Sequence, residues 1–303
     1  MKTNNNRAAY SVVCCLLFAV LAFSSPAWGQ ENQSDFSLSL SMDWIRGELN
    51  GEAHLDLVKA GIKLPTGRLM GEEKLNEAYP WLLRPSLLSI KVDSGSTVGT
   101  LADRGDLSLE ELDTVSLDAR KIPPTISADL TRMTGRYTVS IGKLSSLLTR
   151  HSSTAEPWRP LIPARTADYT GIIIIADREL PVHGRNTQTL AEPCLFPKIW
   201  DTDMNLIYER NMFQSKERRM VSYTVLDTIF RPTPSGLEGD LAALAGPNPL
   251  RIIARGIFGI SPTDPVIDRE DALKILSSDN NRRLLREGRV ILVLNGKMLK
   301  TSF

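Results

Sequence analysis

Cysteine and histidine are both scarce in this 303-residue chain, which contains three residues of each. Cys14 and Cys15 stand at the start of an apolar N-terminal run, where a lipid-modified cysteine would not be expected, and beyond that run only Cys194 remains. A single cysteine cannot form an internal disulfide. A disulfide-stapled scaffold is therefore excluded, and the fold must depend on its hydrophobic core.

The sequence also lacks long tracts of one charge and, after its N-terminus, long apolar runs. It contains 36 basic and 35 acidic residues, with no polybasic tract. This balance argues against nucleic-acid binding and against electrostatic attachment to an anionic membrane. No later apolar stretch approaches the ~20 residues that a spanning helix needs, so no membrane span is expected in the mature protein, and no cofactor is predicted.

The N-terminus has the three parts of a cleavable secretory signal. Lys2 and Arg7 lie in a polar head, an apolar run covers Val12–Phe23, and small residues precede Gln30. The run is too short for a membrane anchor. We therefore predict a signal peptide over residues 1–29, cleavage before Gln30 and a periplasmic product, which keeps 34 of the 36 basic residues against 35 acidic ones.

About 270 mature residues would usually divide into two domains. The first, over residues 36–150, is predicted to begin with a period-2 strand at Phe36–Asp43. Asn50-Gly51 predicts a hairpin turn to a second strand, Glu52–Leu57. Two later strands are predicted on either side of a turn at Thr134-Gly135.

Two helices are predicted between these strand pairs. Gly67–Leu88 has apolar residues at helical spacing, with an interruption or bend near Pro80 and Pro85. Asp106–Lys121 contains a capping-box pattern and is predicted to stop at Pro123-Pro124. The order strand, strand, helix, helix, strand, strand predicts an α+β layer domain.

A polar stretch with three prolines, Thr149–Arg165, is the predicted domain boundary. The second domain, over residues 166–297, is predicted to be smaller and β-rich, with a buried strand at Gly171–Ala176. Its single C-terminal helix is predicted at Asp268–Leu276, and its last strand at Arg289–Leu294. Asn205–Tyr208 and Met220–Val225 are candidate partners for the buried strand.

Six segments carry a family resemblance: Val92–Val98, Asp168–Arg178, Pro193–Asp201, Asn205–Tyr208, Asp264–Ala272 and Leu285–Val290. Together they resemble the bacterial envelope family that includes the flagellar basal-disk protein FlgP and related small outer-membrane lipoproteins. The resemblance extends in patches over residues 40–296, and the lipidated cysteine common in that family is missing here. It implies a non-catalytic scaffold with envelope or flagellar-motor proteins as partners.

Candidate catalytic and metal-binding residues are few. Asp177, His183 and Cys194 could form a cysteine-nucleophile site, which needs a base within hydrogen-bond reach, although Cys194 also fits a small buried hydrophobe. No pair of histidines has zinc-ligand spacing. The carboxylates between Asp264 and Asp271 suggest either a calcium site or, more simply, the N-terminus of a helix.

Candidate binding residues are mostly aromatic. Trp44, Trp81, Trp158 and Trp200 with Tyr208 could line a glycan groove, or could instead pack in cores and interfaces. Lys216–Arg219 is either a solvated turn or a site for an acidic partner. The preferred protein-contact residues are Phe196, Ile199, Trp200 and Tyr208.

The export signal, the near-neutral charge and the lack of a convergent titratable cluster predict a non-enzymatic structural or assembly protein of the periplasm or envelope. The resemblance implies an association with the flagellum. A homo-oligomer is compatible with the sequence. The alternatives are a periplasmic module that binds a small ligand or glycan, and a cysteine-dependent hydrolase.

Overall fold

The computed structural model describes residues 35–149, 155–215, 218–230 and 239–303. The signal segment and its cleavage site before Gln30 lie outside these residues, as does His151. Within the described residues no helix is both long and apolar enough to cross a membrane. Residues 35–303 form one compact unit.

The N-terminal region combines an antiparallel sheet with helices, as predicted. Its strands are β1 (Phe36–Asp43), β2 (Glu48–Asp56), β3 (Arg120–Ile126) and β4 (Arg132–Ser140). Its helices are α1 (Arg68–Ser89), α2 (Val98–Asp103), α3 (Leu109–Leu117) and α4 (Ile141–Leu148). The capping box predicted at the start of the second long helix is present, since Ser108 and Glu111 each bond the other's backbone N–H.

The first hairpin turns at Trp44–Gly47 and not at Asn50-Gly51, so the predicted turn was wrong. Gly51 lies inside β2 opposite Leu40. A Cβ at Gly51 would lie 2.8 Å from the Leu40 Cδ2 atom. Glycine is therefore needed at this position for close packing, and the positive φ that the turn requires is supplied by Gly47.

The position predicted for the second hairpin turn was also wrong. Thr134-Gly135 lies in the middle of β4, and the chain turns between Ser127 and Arg132 instead. Pro123-Pro124 does not end a helix but lies in β3, at the edge of the sheet. An edge strand tolerates proline because one side of its backbone has no strand to pair with.

α1 covers one face of this sheet and is not interrupted at its prolines. Leu75, Tyr79, Leu83 and Leu87 recur every four residues and are all buried, which is the spacing of one helical face. The Tyr79 ring stacks on Tyr137 of β4, with ring centroids 3.8 Å apart. This contact joins the helix layer to the sheet.

The described residues of the second region form many short strands and four α-helices. The strands are β5 (Ile172–Ala176), β6 (Leu180–Pro181), β7 (Gln188–Thr189), β8 (Ile199–Asp201), β9 (Leu206–Tyr208), β10 (Ser222–Thr224), β11 (Leu250–Ile253), β12 (Gly256–Phe258), β13 (Asp264–Ile267) and β14 (Val290–Leu294). The helices are α5 (Leu226–Phe230), α6 (Gly239–Ala245), α7 (Arg269–Leu276) and α8 (Asp279–Arg286), with a 3₁₀ turn at Arg210–Met212. The prediction of one C-terminal helix thus missed α8.

The isoleucine strand β5 is buried in a parallel sheet of order β10-β14-β5-β11, which confirms the predicted buried strand. Its neighbours are β14 and β11. The predicted partners are wrong, because β10 pairs with β14 and β9 pairs with β8 in a separate sheet of order β12-β13-β8-β9. Overall the chain is an α+β protein, as predicted.

The chain end returns to the first sheet. A final strand, β15 (Lys300–Ser302), pairs antiparallel with Ser41–Asp43 of β1. The sequence pattern predicted Arg289–Leu294 as the last strand, so β15 was missed. The turn before β15 is also attached, because the Trp44 N–H donates to the Leu299 carbonyl at 3.0 Å. The two regions consequently share a continuous set of buried apolar side chains.

Candidate functional site

The four predicted protein-contact residues lie mostly in the core. Phe196, Ile199 and Tyr208 are buried, so in this fold they have no surface to offer a partner. Trp200 is half-buried, and its ring packs edge-on against Phe258 with centroids 5.5 Å apart. Ile199 is buried because it belongs to β8, which lies between β13 and β9 in a sheet.

The candidate nucleophile Cys194 is fully buried. Burial, reinforced by the negative charge of Asp264, raises the pKa of its thiol far above the ordinary value. Its backbone N–H and carbonyl are both bonded by the Tyr223 hydroxyl. A thiol held in the protonated form is a poor nucleophile.

The other two members of the hypothetical cysteine site make unrelated contacts. The His183 ring lies 6.1 Å from the Phe258 ring, and its backbone N–H donates to the Ile257 carbonyl. The Asp177 carbonyl accepts a hydrogen bond from Asn295. Within the described residues no hydrogen bond joins Asp177, His183 and Cys194.

The carboxylates around α7 also separate. Asp264 is buried and accepts hydrogen bonds from the Lys198 backbone and the Thr263 hydroxyl, and burial raises its pKa. Asp268 occupies the N-cap position of α7, but its side chain bonds Arg255 at 2.7 Å instead of the helix backbone. Asp271 pairs with Lys274. In the described part of the chain, no three metal-ligating side chains converge.

Three of the tryptophans make separate ring contacts. Trp44 packs on Tyr223, Trp81 on Phe36 and Trp200 on Phe258. They therefore do not form one groove of the kind that a glycan would need. Trp158 is the exception, with 39% of its surface exposed.

The loop at Val92–Val98, one of the segments that resemble the FlgP family, connects the two regions. The Leu195 and Phe196 N–H groups donate to the carbonyls of Lys91 and Val92, at 3.0 and 2.8 Å. The Ser261 N–H donates to the Ser94 carbonyl at 2.9 Å, and the Lys91 ammonium pairs with Glu192. This segment has a structural role, since it adds backbone hydrogen bonds across the shared core.

The most exposed large apolar side chains lie in the predicted boundary stretch. Leu161 is 102% exposed and Ile162 is 87% exposed, and both follow Trp158 closely in sequence. We refer to these residues as the Trp158–Ile162 segment. Shallow grooves flank it, of about 560 Å³ on the side of α8 and about 630 Å³ on the side of α7.

Both ends of this segment are tied to the second region. Before it, the Ala155 N–H donates to the Asn211 carbonyl at 2.9 Å and Glu156 pairs with Arg286 at 2.7 Å. After it, the Ala164 N–H donates to the Ser277 hydroxyl and Thr166 donates to the Lys274 carbonyl. The apolar side chains are thus presented from a fixed base.

Sequence reasoning assigned this stretch to a linker and did not select Leu161 or Ile162. The sequence feature that could have indicated their exposure is the placement of Leu161 and Ile162 between two prolines, in the run Trp158-Arg159-Pro160-Leu161-Ile162-Pro163. Prolines on both sides restrict the backbone to extended conformations and remove hydrogen-bond donors. In the structure Leu161 and Ile162 lie outside any strand or helix, and their side chains stay exposed.

Two family models match the chain. Residues 35–147 are similar to the N-terminal domain of Treponema pallidum Tp0624, and residues 171–296 are similar to the second domain of the same protein. The matched ranges correspond to the two regions of the α+β fold. No curated protein matches the chain. Neither model description names a function or the FlgP family, so that resemblance stays a prediction.

Proposed function

We propose that the mature chain is a non-enzymatic structural or assembly protein of the bacterial periplasm, acting at the flagellar motor or outer envelope. It works by contacting another protein through the Trp158–Ile162 segment. Export is supported by the N-terminal signal pattern, and the flagellar or envelope setting by the resemblance of six sequence segments.

One observation carries the proposal: Leu161 and Ile162 are almost fully exposed on a segment whose two ends are fixed. Burying a side chain of this size is worth about 1.5–3 kcal/mol. A fixed base lowers the conformational entropy that binding must remove. Trp158 adds an aromatic side chain of the kind that dominates binding energy in protein interfaces.

The surface chemistry indicates an apolar partner surface. Most charged groups beside the segment are paired: Arg159 and Arg282 both contact Asp279, and Arg269 pairs with Asp203 at 2.9 Å. Long-range charge attraction would therefore contribute little to this contact. The partner is expected to present apolar side chains to Leu161 and Ile162 and to the groove on the α7 side, whose wall also includes Ala272 and Leu273.

Site-specific photocrosslinking in intact cells tests this function. A photoreactive amino acid is placed at position 161, at position 162, or at the control position 117, where the native Leu117 is 62% exposed on α3. We expect one discrete adduct in the envelope fraction from positions 161 and 162 and none from position 117. Equal adducts from all three positions, or recovery of the chain in the cytosol with its signal uncut, would refute the proposal.

A matched pair of variants separates contact from folding. Leu161→Ser with Ile162→Ser should abolish the adduct formed from a photoreactive group at position 158 while leaving the unfolding midpoint unchanged. Leu117→Ser removes a comparable exposed apolar group elsewhere and should leave that adduct intact. Loss of the adduct in both variants would show that the contact is not specific to this segment.

A further inference from the structure

A cleft of about 860 Å³ lies between the first hairpin turn and the second region. Among the described residues, four arginines line it: Arg46, Arg120, Arg218 and Arg219. The one acidic side chain in this described part of the wall is Glu48, which lies 3.6 Å from Arg120. The described wall therefore carries an excess of about three positive charges.

Arg219 is the central group of this wall. Its two terminal nitrogens donate to the carbonyls of Trp44 and Ile45, at 2.9 and 3.1 Å. No carboxylate of the described chain forms an ion pair with it; burial lowers its pKa, and the nearby Asp43 opposes that shift. The two carbonyls carry no full charge to balance this half-buried guanidinium, so a negative ligand at this site would add a favourable interaction.

Arg46 and Arg218 are exposed and bring further charge to the cleft. Neither side chain has an ion pair or hydrogen bond within the described residues. Ala243 and Leu244 at the end of α6 also line the cleft, and their carbonyls accept hydrogen bonds from Arg289. They consequently do little to neutralise the arginines.

We propose that this cleft binds a phosphate-type dianion, carried either on a soluble phosphate compound or on the headgroup of an anionic lipid. Arg46 and Arg218 donate to its oxygens, and the hydroxyls of Ser140 and Ser222 on the cleft wall add neutral donors. The planar guanidinium matches the geometry of phosphate oxygens, which favours phosphate over chloride. The cleft is separate from the Trp158–Ile162 segment, and this proposal does not depend on the protein-contact function.

Calorimetric titration of the mature chain with inorganic pyrophosphate tests binding of a soluble phosphate compound. Co-sedimentation with phosphatidylcholine vesicles that contain or lack phosphatidic acid tests binding of a lipid headgroup. Arg46→Gln with Arg218→Gln should weaken binding by about tenfold to a hundredfold, since each charge-assisted bond contributes strongly. The control, Arg104→Gln with Arg178→Gln, removes the same charge from exposed arginines outside the cleft and should bind like the parent.

The two experiments together identify the source of the anion. Pyrophosphate binding without vesicle binding assigns a soluble phosphate compound, and binding only to vesicles with phosphatidic acid assigns a lipid headgroup. Equal weakening in the cleft and control variants would mean that only net charge matters, and the proposal would fail. It would also fail if the parent bound neither probe.

Discussion

The hydroxyl of Tyr223 bonds both backbone groups of Cys194. It donates to the Cys194 carbonyl at 2.7 Å and accepts from the Cys194 N–H at 3.1 Å. Tyr223 lies on β10 of the parallel sheet, and its ring also packs edge-on against Trp44 of the first hairpin turn, with centroids 5.7 Å apart. One side chain thus connects the loop containing Cys194, the parallel sheet and the N-terminal region.

Tyr223→Phe should destabilise the protein by about 1–3 kcal/mol, because a buried N–H and a buried carbonyl lose their partner while the ring remains. Urea unfolding measures the change. Tyr169→Phe is the control, since the Tyr169 hydroxyl has no hydrogen bond within the described residues. Equal midpoints for the two variants would contradict the role assigned to Tyr223.

Cys194 should make stability fall at high pH. Its folded pKa is raised above the ordinary value of 9.0, so above pH 9 the unfolded chain loses a proton that the folded chain keeps. The folded state is then disfavoured progressively, by about 1.4 kcal/mol per pH unit at most. Between pH 8 and 10 the parent should lose about 1 kcal/mol more than Cys194→Ser, as measured from urea midpoints. Parallel pH curves would show that the thiol does not titrate differently on unfolding.

Sequence patterns located the regular elements better than the turns. The alternation in Phe36–Asp43 and the four isoleucines after Gly171 identified β1 and β5, because side-chain periodicity follows directly from the backbone geometry. Asn50-Gly51 led to a wrong prediction of a hairpin turn, because glycine is required not only in turns but also where another side chain approaches the backbone closely. The contact of Gly51 with Leu40 is non-local and leaves no trace in the neighbouring residues.

The candidate sites were harder to predict than the fold. Phe196 and Tyr208 resembled interface residues because aromatic side chains occur in both cores and interfaces. Whether they are exposed depends on the packing of β8 and β9, which is set by distant parts of the chain. The arginine cleft likewise depends on distant parts of the chain. Arg46 and Arg218 both line it, although they are 172 positions apart in the sequence. No local spacing could indicate that they meet.

Gly47 should be more sensitive to alanine than another glycine of the same backbone conformation. Gly47 and Gly61 have φ values of +68° and +67°, so both variants incur similar backbone strain. A Cβ at Gly47 would lie 2.6 Å from a terminal nitrogen of Arg219, whereas one at Gly61 meets nothing within 4 Å. Gly47→Ala should therefore cost about 1–2 kcal/mol more than Gly61→Ala in urea unfolding. Equal costs would show that Arg219 moves without loss.

Asn281 should be intolerant of a carboxylate. It is fully buried, its amide nitrogen donates to the carbonyls of Ala167 and Lys274 at 2.9 Å each, and its oxygen accepts from the Tyr169 N–H. Asn281→Asp replaces the donor with a second acceptor that faces two carbonyls, so we expect a loss of at least about 2 kcal/mol at pH 7.

The pH dependence of this variant separates charge from packing. Protonation restores one donor, and the folded variant therefore favours the protonated acid more strongly than the unfolded chain does. Its deficit relative to the parent should shrink as the pH falls from 7 towards 4. Asn280→Asp, at a half-buried neighbour whose carboxylate can reach water, should show a smaller deficit at pH 7. A deficit for Asn281→Asp that stays constant with pH would mean that shape, and not unpaired charge, causes the loss.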